Sequence, residues 1–330
     1  MSKISNIIKK WIQGYRGTAI FAITTMCNCR CIMCDMWKLH PQSISLEDGM
    51  KIIDFLDKHR FLLVYFTGGE PSLHPNLIDF VDYANKLGLV TSLTTNGTMN
   101  PKMLEELAEA GLHTLSVSLD HWDPKICEDI RRHKNIQQKE LKLISRAREI
   151  GIRVYALVYI NPLLQNPPEM ARMIKFVNEE LKVPIGFCYP TVTEGTSYKI
   201  GGEIRKFDEN KLLKTIKTII TMKKKGYWIA NPATYLEEII RFLERRDPLY
   251  PCKGGECVLY IDWNGDAYPC FIKPKLFNIL KDNPKFIKNQ QCTDCLINCF
   301  REPSLLYYLP SIDIIARELR FNYKIRGLIL

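Results

Sequence analysis

The sequence predicts an α/β protein: a partial (β/α)6, TIM-like barrel followed by a small C-terminal cysteine-rich domain. Three observations carry that prediction. Apolar, strand-like runs alternate with helical stretches from residue 18 to residue 189. Residues able to hold ligands stand at the ends of several of those runs. Six cysteines then crowd into the segment after residue 250. A repeated strand–helix order implies parallel strands joined by right-handed crossovers.

The elements follow in order. Residues 1–17 form a basic amphipathic segment, with Ile4, Ile7, Ile8, Trp11 and Ile12 on one helical face and Lys3, Lys9 and Lys10 outside it. Such a face docks on the protein's own core or lies on an anionic membrane. Thr18–Thr25 is a continuous apolar run and reads as the first buried strand. Phe61–Phe66, Leu89–Thr95, His113–Leu119, Ile152–Ile160 and Pro184–Tyr189 read as the next five. Helices are expected at Leu46–His59, Leu77–Leu87, Pro101–Ala110, Gln137–Ile150 and Pro168–Leu181. Pro101 suits a first helical turn, and Gly88, Gly111 and Gly151 suit C-terminal stops. Residues 207–245 read as two polar-faced helices around Tyr227–Ala230 that complete the barrel edge. The expected division is a barrel at 18–230, a connecting helix at 231–250, a cysteine-rich domain at 251–303 and a basic, apolar tail at 304–330.

Composition narrows the class. A chain of 330 residues with 46% hydrophobic content fills one large core and a smaller one. No stretch reaches the ~18 uncharged apolar residues that a membrane span needs. Twelve cysteines without a secretion signal read as metal ligands in a reducing, cytoplasmic setting, not as disulfides. The formal charge of +10 suits an acidic electron donor such as flavodoxin or ferredoxin, an acidic peptide, a nucleic acid or an anionic lipid, and does not choose among them.

Two motifs carry chemistry. Cys27, Cys31 and Cys34 follow the first strand at C-x3-C-x2-C spacing. Thiolates at short fixed spacings hold iron–sulfur clusters, and three of them leave one iron of a four-iron cluster open. Cys29 lies in the same run and is read as a small loop residue. The second strand ends in Thr67-Gly68-Gly69-Glu70-Pro71. Paired glycines let backbone approach a ligand closely, and the adjoining carboxylate suits an ammonium group.

These residues resemble the radical S-adenosylmethionine (radical SAM) superfamily over about residues 18–190. The resemblance implies that Cys27, Cys31 and Cys34 hold a 4Fe–4S cluster whose open iron binds S-adenosylmethionine. It implies that Gly68, Gly69 and Glu70 contact the methionine amino group. Ser118 and Asp120, in Ser-Val-Ser-Leu-Asp at the fourth strand end, are implied at the ribose, and Arg131 near the cofactor carboxylate, with Arg132 the competing candidate. Asn161 after the fifth strand is suggestive only. Met33 departs from the family, which places an aromatic residue before the last cysteine, against the adenine. The implied activity is reductive cleavage of S-adenosylmethionine to a 5′-deoxyadenosyl radical that takes a substrate hydrogen, for oxidation or bond formation. Peptide, sugar, cofactor precursor and lipid substrates all fit, though fewer than twenty residues precede the first strand, which weakens the peptide reading.

The late cysteines are Cys252, Cys257, Cys270, Cys292, Cys295 and Cys299. Alternating apolar residues around Asn264-Gly265 read as a hairpin that draws Cys257 and Cys270 together. Cys252-x12-Gly265-x4-Cys270 resembles the auxiliary-cluster region of the SPASM and twitch subgroups. Six thiolates cannot ligate two four-iron clusters fully, so one auxiliary 4Fe–4S cluster is expected. Cys252, Cys257 and Cys270 form its expected core, with the fourth ligand open among Cys292, Cys295 and Cys299. Two incomplete clusters and a zinc ribbon are the alternatives. Cys127 and Cys188 stand alone and read as plain thiols. The opposing class, a non-enzymatic zinc or iron–sulfur protein on nucleic acid, leaves Gly68-Gly69-Glu70 and the strand–helix order unexplained.

Overall fold

The computed structural model describes residues 3–193, 197–204 and 206–308. Six parallel strands run in sequence order across a sheet: β1 Gly17–Thr24, β2 Phe61–Gly68, β3 Val90–Thr95, β4 Thr114–Ser118, β5 Arg153–Tyr159 and β6 Ile185–Cys188. Each pairs with the next in parallel register, as the alternation predicted. The strands read as continuous apolar runs because helices cover one face and the barrel interior the other. β1 is buried along its whole length.

The helices stand where their start and stop signals put them. α2 Leu46–Lys58 is capped by Ser45, whose side chain accepts from the Asp48 N–H. α3 is Leu77–Lys86. α4 Pro101–Glu109 starts on an Asn100 cap with proline in its first turn. One helix escaped the sequence. α5 Pro124–Arg131 is short, and its Asp123 cap and Pro124 were the available signal. α6 is Ile136–Glu149. The helix expected at 168–181 is α7 Pro167–Lys175, continued by a wider turn through Phe176–Glu180.

α8 Glu209–Lys224 and α9 Ala233–Leu243 flank a short segment in which Ile229 pairs in parallel with Ile185. That segment extends the β6 edge, as expected. The sheet also continues at its other edge. β7 Val258–Ile261 pairs in parallel with β1, and β8 Asp266–Tyr268 and β9 Phe277–Asn278 follow it antiparallel. The cysteine-rich region therefore shares the barrel's sheet through β7. The β7–β8 connection is wider than the two-residue turn the sequence suggested. The Asp262 N–H donates to Asp266 O and Gly265 adopts a left-handed conformation, so three residues bridge the strands.

The N-terminal helix, α1 Lys3–Ile12, uses part of its apolar face internally. Ile7 and Trp11 pack beside Leu62, Leu63 and Val90, while Ile8 and Ile12 are exposed. α10 Asn298–Tyr307 brings Leu306 to the same cluster. The basic residues expected in the tail, Arg317, Arg320, Lys324 and Arg326, lie outside the described residues. Among the described residues no helix is long and apolar enough to cross a membrane.

Candidate metal centre and cofactor site

The first cysteine loop leaves β1 and is held by main chain on every side. The Gly69 N–H donates to Thr24 O at 2.8 Å and the Glu70 N–H to Met26 O at 2.7 Å. A Cβ on Gly68 would stand 2.2 Å from Thr24 O, and one on Gly69 2.2 Å from Met26 O. The two glycines thus let the end of β2 lie backbone to backbone against the lead-in to Cys27. On the far side, residues 199–203 clasp the loop. The Asp35 N–H donates to Lys199 O, Gly201 N–H to Met33 O and Glu203 N–H to Ile32 O. The sequence signal of this clasp, which was missed, is the pair Gly201-Gly202: a Cβ on Gly202 would collide with Ile32 O.

Cys27, Cys31 and Cys34 share one neighbourhood. Burial pushes the Cys27 thiol up to about 11 and the Cys34 thiol up to about 12, and the nearby Cys31 raises both further. Cys31 is shifted the other way, first by its hydrogen bond with Cys29. Cys29 is buried, and Asn96 Nδ2 lies 3.3 Å from its sulfur. Met33 is buried with Ile130 and Tyr159.

Glu70 follows the glycine pair at the end of β2. It is fully buried. Its Oε1 accepts from Thr95 Oγ1 at 2.8 Å and from the Ser72 N–H at 3.1 Å, and its Oε2 accepts from the Asn96 N–H at 2.6 Å. Burial raises its pKa, and these donors pull it back. The carboxylate ties the end of β2 to the end of β3 and is engaged within the protein. What Gly68 and Gly69 leave for a ligand is main chain.

Asp120 and Arg131 are likewise drawn to other partners. Asp120 Oδ1 accepts from the Tyr159 N–H at 3.1 Å, and its Oδ2 lies 2.7 Å from Arg131 Nη2. Arg131 Nε lies 3.4 Å from Glu140 Oε1. All three side chains are buried. Ser118, the last residue of β4, is half-buried. Arg132 is exposed and paired with Glu203. Asn161 donates to Asp120 O and caps the turn at Leu163 and Leu164. Glu140 was missed from sequence, yet the signal existed: it shares the buried face of α6 with Ile136, Leu143, Ile144 and Ala147.

The second cysteine group regroups what the sequence proposed. The Cys252 N–H donates to Cys292 O at 2.8 Å. Burial pushes Cys270 up to about 11 and Cys295 up to about 12, and the Cys252 and Cys292 thiols add to both shifts. Cys252, Cys270, Cys292 and Cys295 therefore lie in one neighbourhood. Cys257 also neighbours Cys252 but lies beside Lys253 and Glu256. Cys299 opens α10 next to Glu302 and neighbours Tyr65, Tyr198 and Cys188. All six late cysteines, the expected core of Cys252, Cys257 and Cys270 included, pack in one cluster that spans the hairpin and the Cys292–Cys295 knuckle. Among the described residues no three of these side chains converge on one point at metal-ion spacing, so shared neighbourhood is what groups them.

One aromatic joins the two groups. The Tyr198 hydroxyl donates to Gly68 O at 3.4 Å, and its ring stacks on Phe271 at 4.2 Å. Phe271 follows Cys270 directly, and Cys34 packs in the same apolar cluster.

A parallel partial barrel with a three-cysteine loop at the C-terminal end of β1, beside a Gly-Gly turn, defines an iron–sulfur enzyme domain of the kind that acts at strand ends. Residues 21–177 match the family model of the radical SAM superfamily. The match runs from β1 through α7, just under half of the chain; members of that superfamily bind a 4Fe–4S cluster and S-adenosylmethionine. It is 26% identical over 213 residues to the Fe-coproporphyrin III synthase of Methanosarcina barkeri, covering 63% of this chain and 52% of that one. It is 38% identical over 103 residues to the tungsten-containing aldehyde ferredoxin oxidoreductase cofactor-modifying protein of Pyrococcus furiosus, 30% of this chain and 29% of that one. The chain spans about half or less of the length of these curated relatives. The fold is similar to that of Streptococcus suis SuiB bound to S-adenosylmethionine, with a TM-score of 0.64, 18% identity, and coverage of 84% of this chain and 68% of that one.

Proposed function

We propose that this chain cleaves S-adenosylmethionine reductively and uses the product radical to take a hydrogen from a substrate carbon. The observation that carries the proposal is the loop of Cys27, Cys31 and Cys34, packed main chain to main chain on Gly68 and Gly69. Three thiolates on a loop braced from both sides suit a cluster that keeps one iron open. Cys27, Cys31 and Cys34 would hold a cluster that, when reduced, would supply one electron for the reductive cleavage of S-adenosylmethionine. The chain's own part is positional. Glu70 fixes the Asn96 turn against the loop, the 199–203 clasp holds Cys34, and the strand ends shield the reacting atoms from other hydrogen donors.

Cys252, Cys270, Cys292 and Cys295 are proposed to hold one auxiliary cluster, in a SPASM- or twitch-like region at 251–303 beyond a barrel at 18–230 and a connecting helix at 231–250. Four neighbouring thiolates suffice in number for such a site without Cys257 or Cys299. The proposed substrate is a peptide or a small molecule. A structure of SuiB with its precursor peptide SuiA supports the peptide class by fold likeness alone, at 19% identity. An acidic flavodoxin or ferredoxin as electron donor suits the charge of +10. The reducing chemistry suits a cytoplasmic setting.

Anaerobic purification tests the proposal. The expected product is a brown protein that releases 5′-deoxyadenosine from S-adenosylmethionine under dithionite. A colourless protein that holds zinc and leaves S-adenosylmethionine intact would overturn it.

A further inference from the structure

We infer that Arg131 is a positioning residue for the first cysteine loop, and that its buried cation sets the charge facing the cluster. The inference rests on the proposal that Cys27, Cys31 and Cys34 hold that cluster. It assigns Arg131 to the loop, not to the carboxylate of S-adenosylmethionine.

The main-chain geometry comes first. α5 ends at Arg131, because Arg132 adopts a left-handed conformation with φ of 50°. The last carbonyls of α5 therefore have no helical partner of their own. The loop supplies partners: the Ile32 N–H donates to Ile130 O at 2.9 Å, and the Arg30 N–H donates to Arg131 O at 3.2 Å. Those two residues flank Cys31. The position of Cys31 thus follows the end of α5.

The Arg131 side chain fixes that end. Its guanidinium reaches Asp120, just beyond β4, and Glu140 on α6. It is buried, on a residue whose own carbonyl accepts from the loop at Arg30. The ion pairs are poorly satisfied. Asp120 Oδ2, Arg131 Nε and both carboxylate oxygens of Glu140 are buried without a hydrogen bond. Buried ion networks of this quality are commonly matched or bettered by apolar packing. Fold stability is therefore a weak account of why a cation stands here. A cation beside the loop, by contrast, favours the more negative, reduced form of a bound cluster.

Three variants test the inference in the anaerobic, cluster-loaded full chain: Arg131→Met, Arg131→Lys and Asp120→Asn. The midpoint potential is read by redox titration of the electron paramagnetic resonance signal that changes when S-adenosylmethionine is added. Arg131→Met should make the midpoint more negative. Asp120→Asn, which removes an opposing charge, should make it less negative. Arg131→Lys, which keeps the charge, should stay close to the parent. Dissociation constants for S-adenosylmethionine should change less than twofold in Arg131→Lys. An unchanged midpoint in Arg131→Met with full iron content overturns the inference. So does a large loss of S-adenosylmethionine affinity without a potential shift, which would return Arg131 to the cofactor carboxylate. If Arg131→Met fails to take up iron, the opposite or absent shift in Asp120→Asn decides. Failure of the parent protein to show a signal responsive to S-adenosylmethionine would sink the proposed function instead.

Discussion

The two cysteine groups are assembled in opposite ways. Cys27, Cys31 and Cys34 sit on one short loop, so their neighbourhood is fixed by local chain geometry and by two main-chain clasps. Cys252, Cys270, Cys292 and Cys295 come from separate segments, brought together by the β7–β8 hairpin and the pairing of Cys252 with Cys292. A local site can be read from spacing. A site closed by tertiary structure cannot, because six thiols with equal claims in sequence are sorted only by how separate segments fold together. The difference is also one of role. The local group sits at the end of β1, where the cofactor is proposed to bind, and the dispersed one flanks it through Tyr198 and Phe271.

The sharpest way to break this comparison is to remove one ligand from each group. Cys31→Ala should reduce 5′-deoxyadenosine release to background, while Cys252→Ala should keep measurable release and lose only the auxiliary share of the iron. Equal loss of release in both variants would erase the distinction. Within the dispersed group, Cys292→Ala should lose about four irons per chain, whereas Cys257→Ala and Cys299→Ala should keep them. Iron assay with Mössbauer spectroscopy reads this, and iron loss in Cys257→Ala would restore the ligand set expected from sequence.

Smaller effects probe the clasps. Gly69→Ala forces a Cβ to within 2.2 Å of Met26 O, and should cost about 3 kcal/mol of stability and most cluster uptake. Chemical denaturation of the apoprotein checks the first and iron content the second. Glu70→Gln places an amide donor near the Asn96 and Ser72 N–H groups, and should cost about 1–3 kcal/mol. If Glu70→Gln instead preserves stability and weakens S-adenosylmethionine binding, the carboxylate faces the ligand after all. Tyr198→Leu removes the stack on Phe271, and should cost about 1 kcal/mol beyond lost area, read by thermal unfolding.

Much of the barrel was legible because buried parallel strands keep apolar runs unbroken and their helices carry caps such as Ser45 and Asn100. α5 escaped because eight residues with four charges give little periodicity. The 199–203 clasp escaped because its signature, Gly201-Gly202, does not say which distant segment the main chain approaches. Glu70 and Asp120 were found as site residues, yet their partners Thr95, Tyr159 and Arg131 depend on tertiary placement. The glycines at 68 and 69 were found for close approach, and the neighbour they approach is the cysteine loop itself.

The central claim is that three cysteines leave one iron open to S-adenosylmethionine. Electron paramagnetic resonance of the dithionite-reduced protein, with and without S-adenosylmethionine, tests it most directly. The account predicts a four-iron signal that changes shape when the cofactor is added and is absent in Cys31→Ala. A spectrum indifferent to S-adenosylmethionine, or one that persists unchanged in Cys31→Ala, would contradict it.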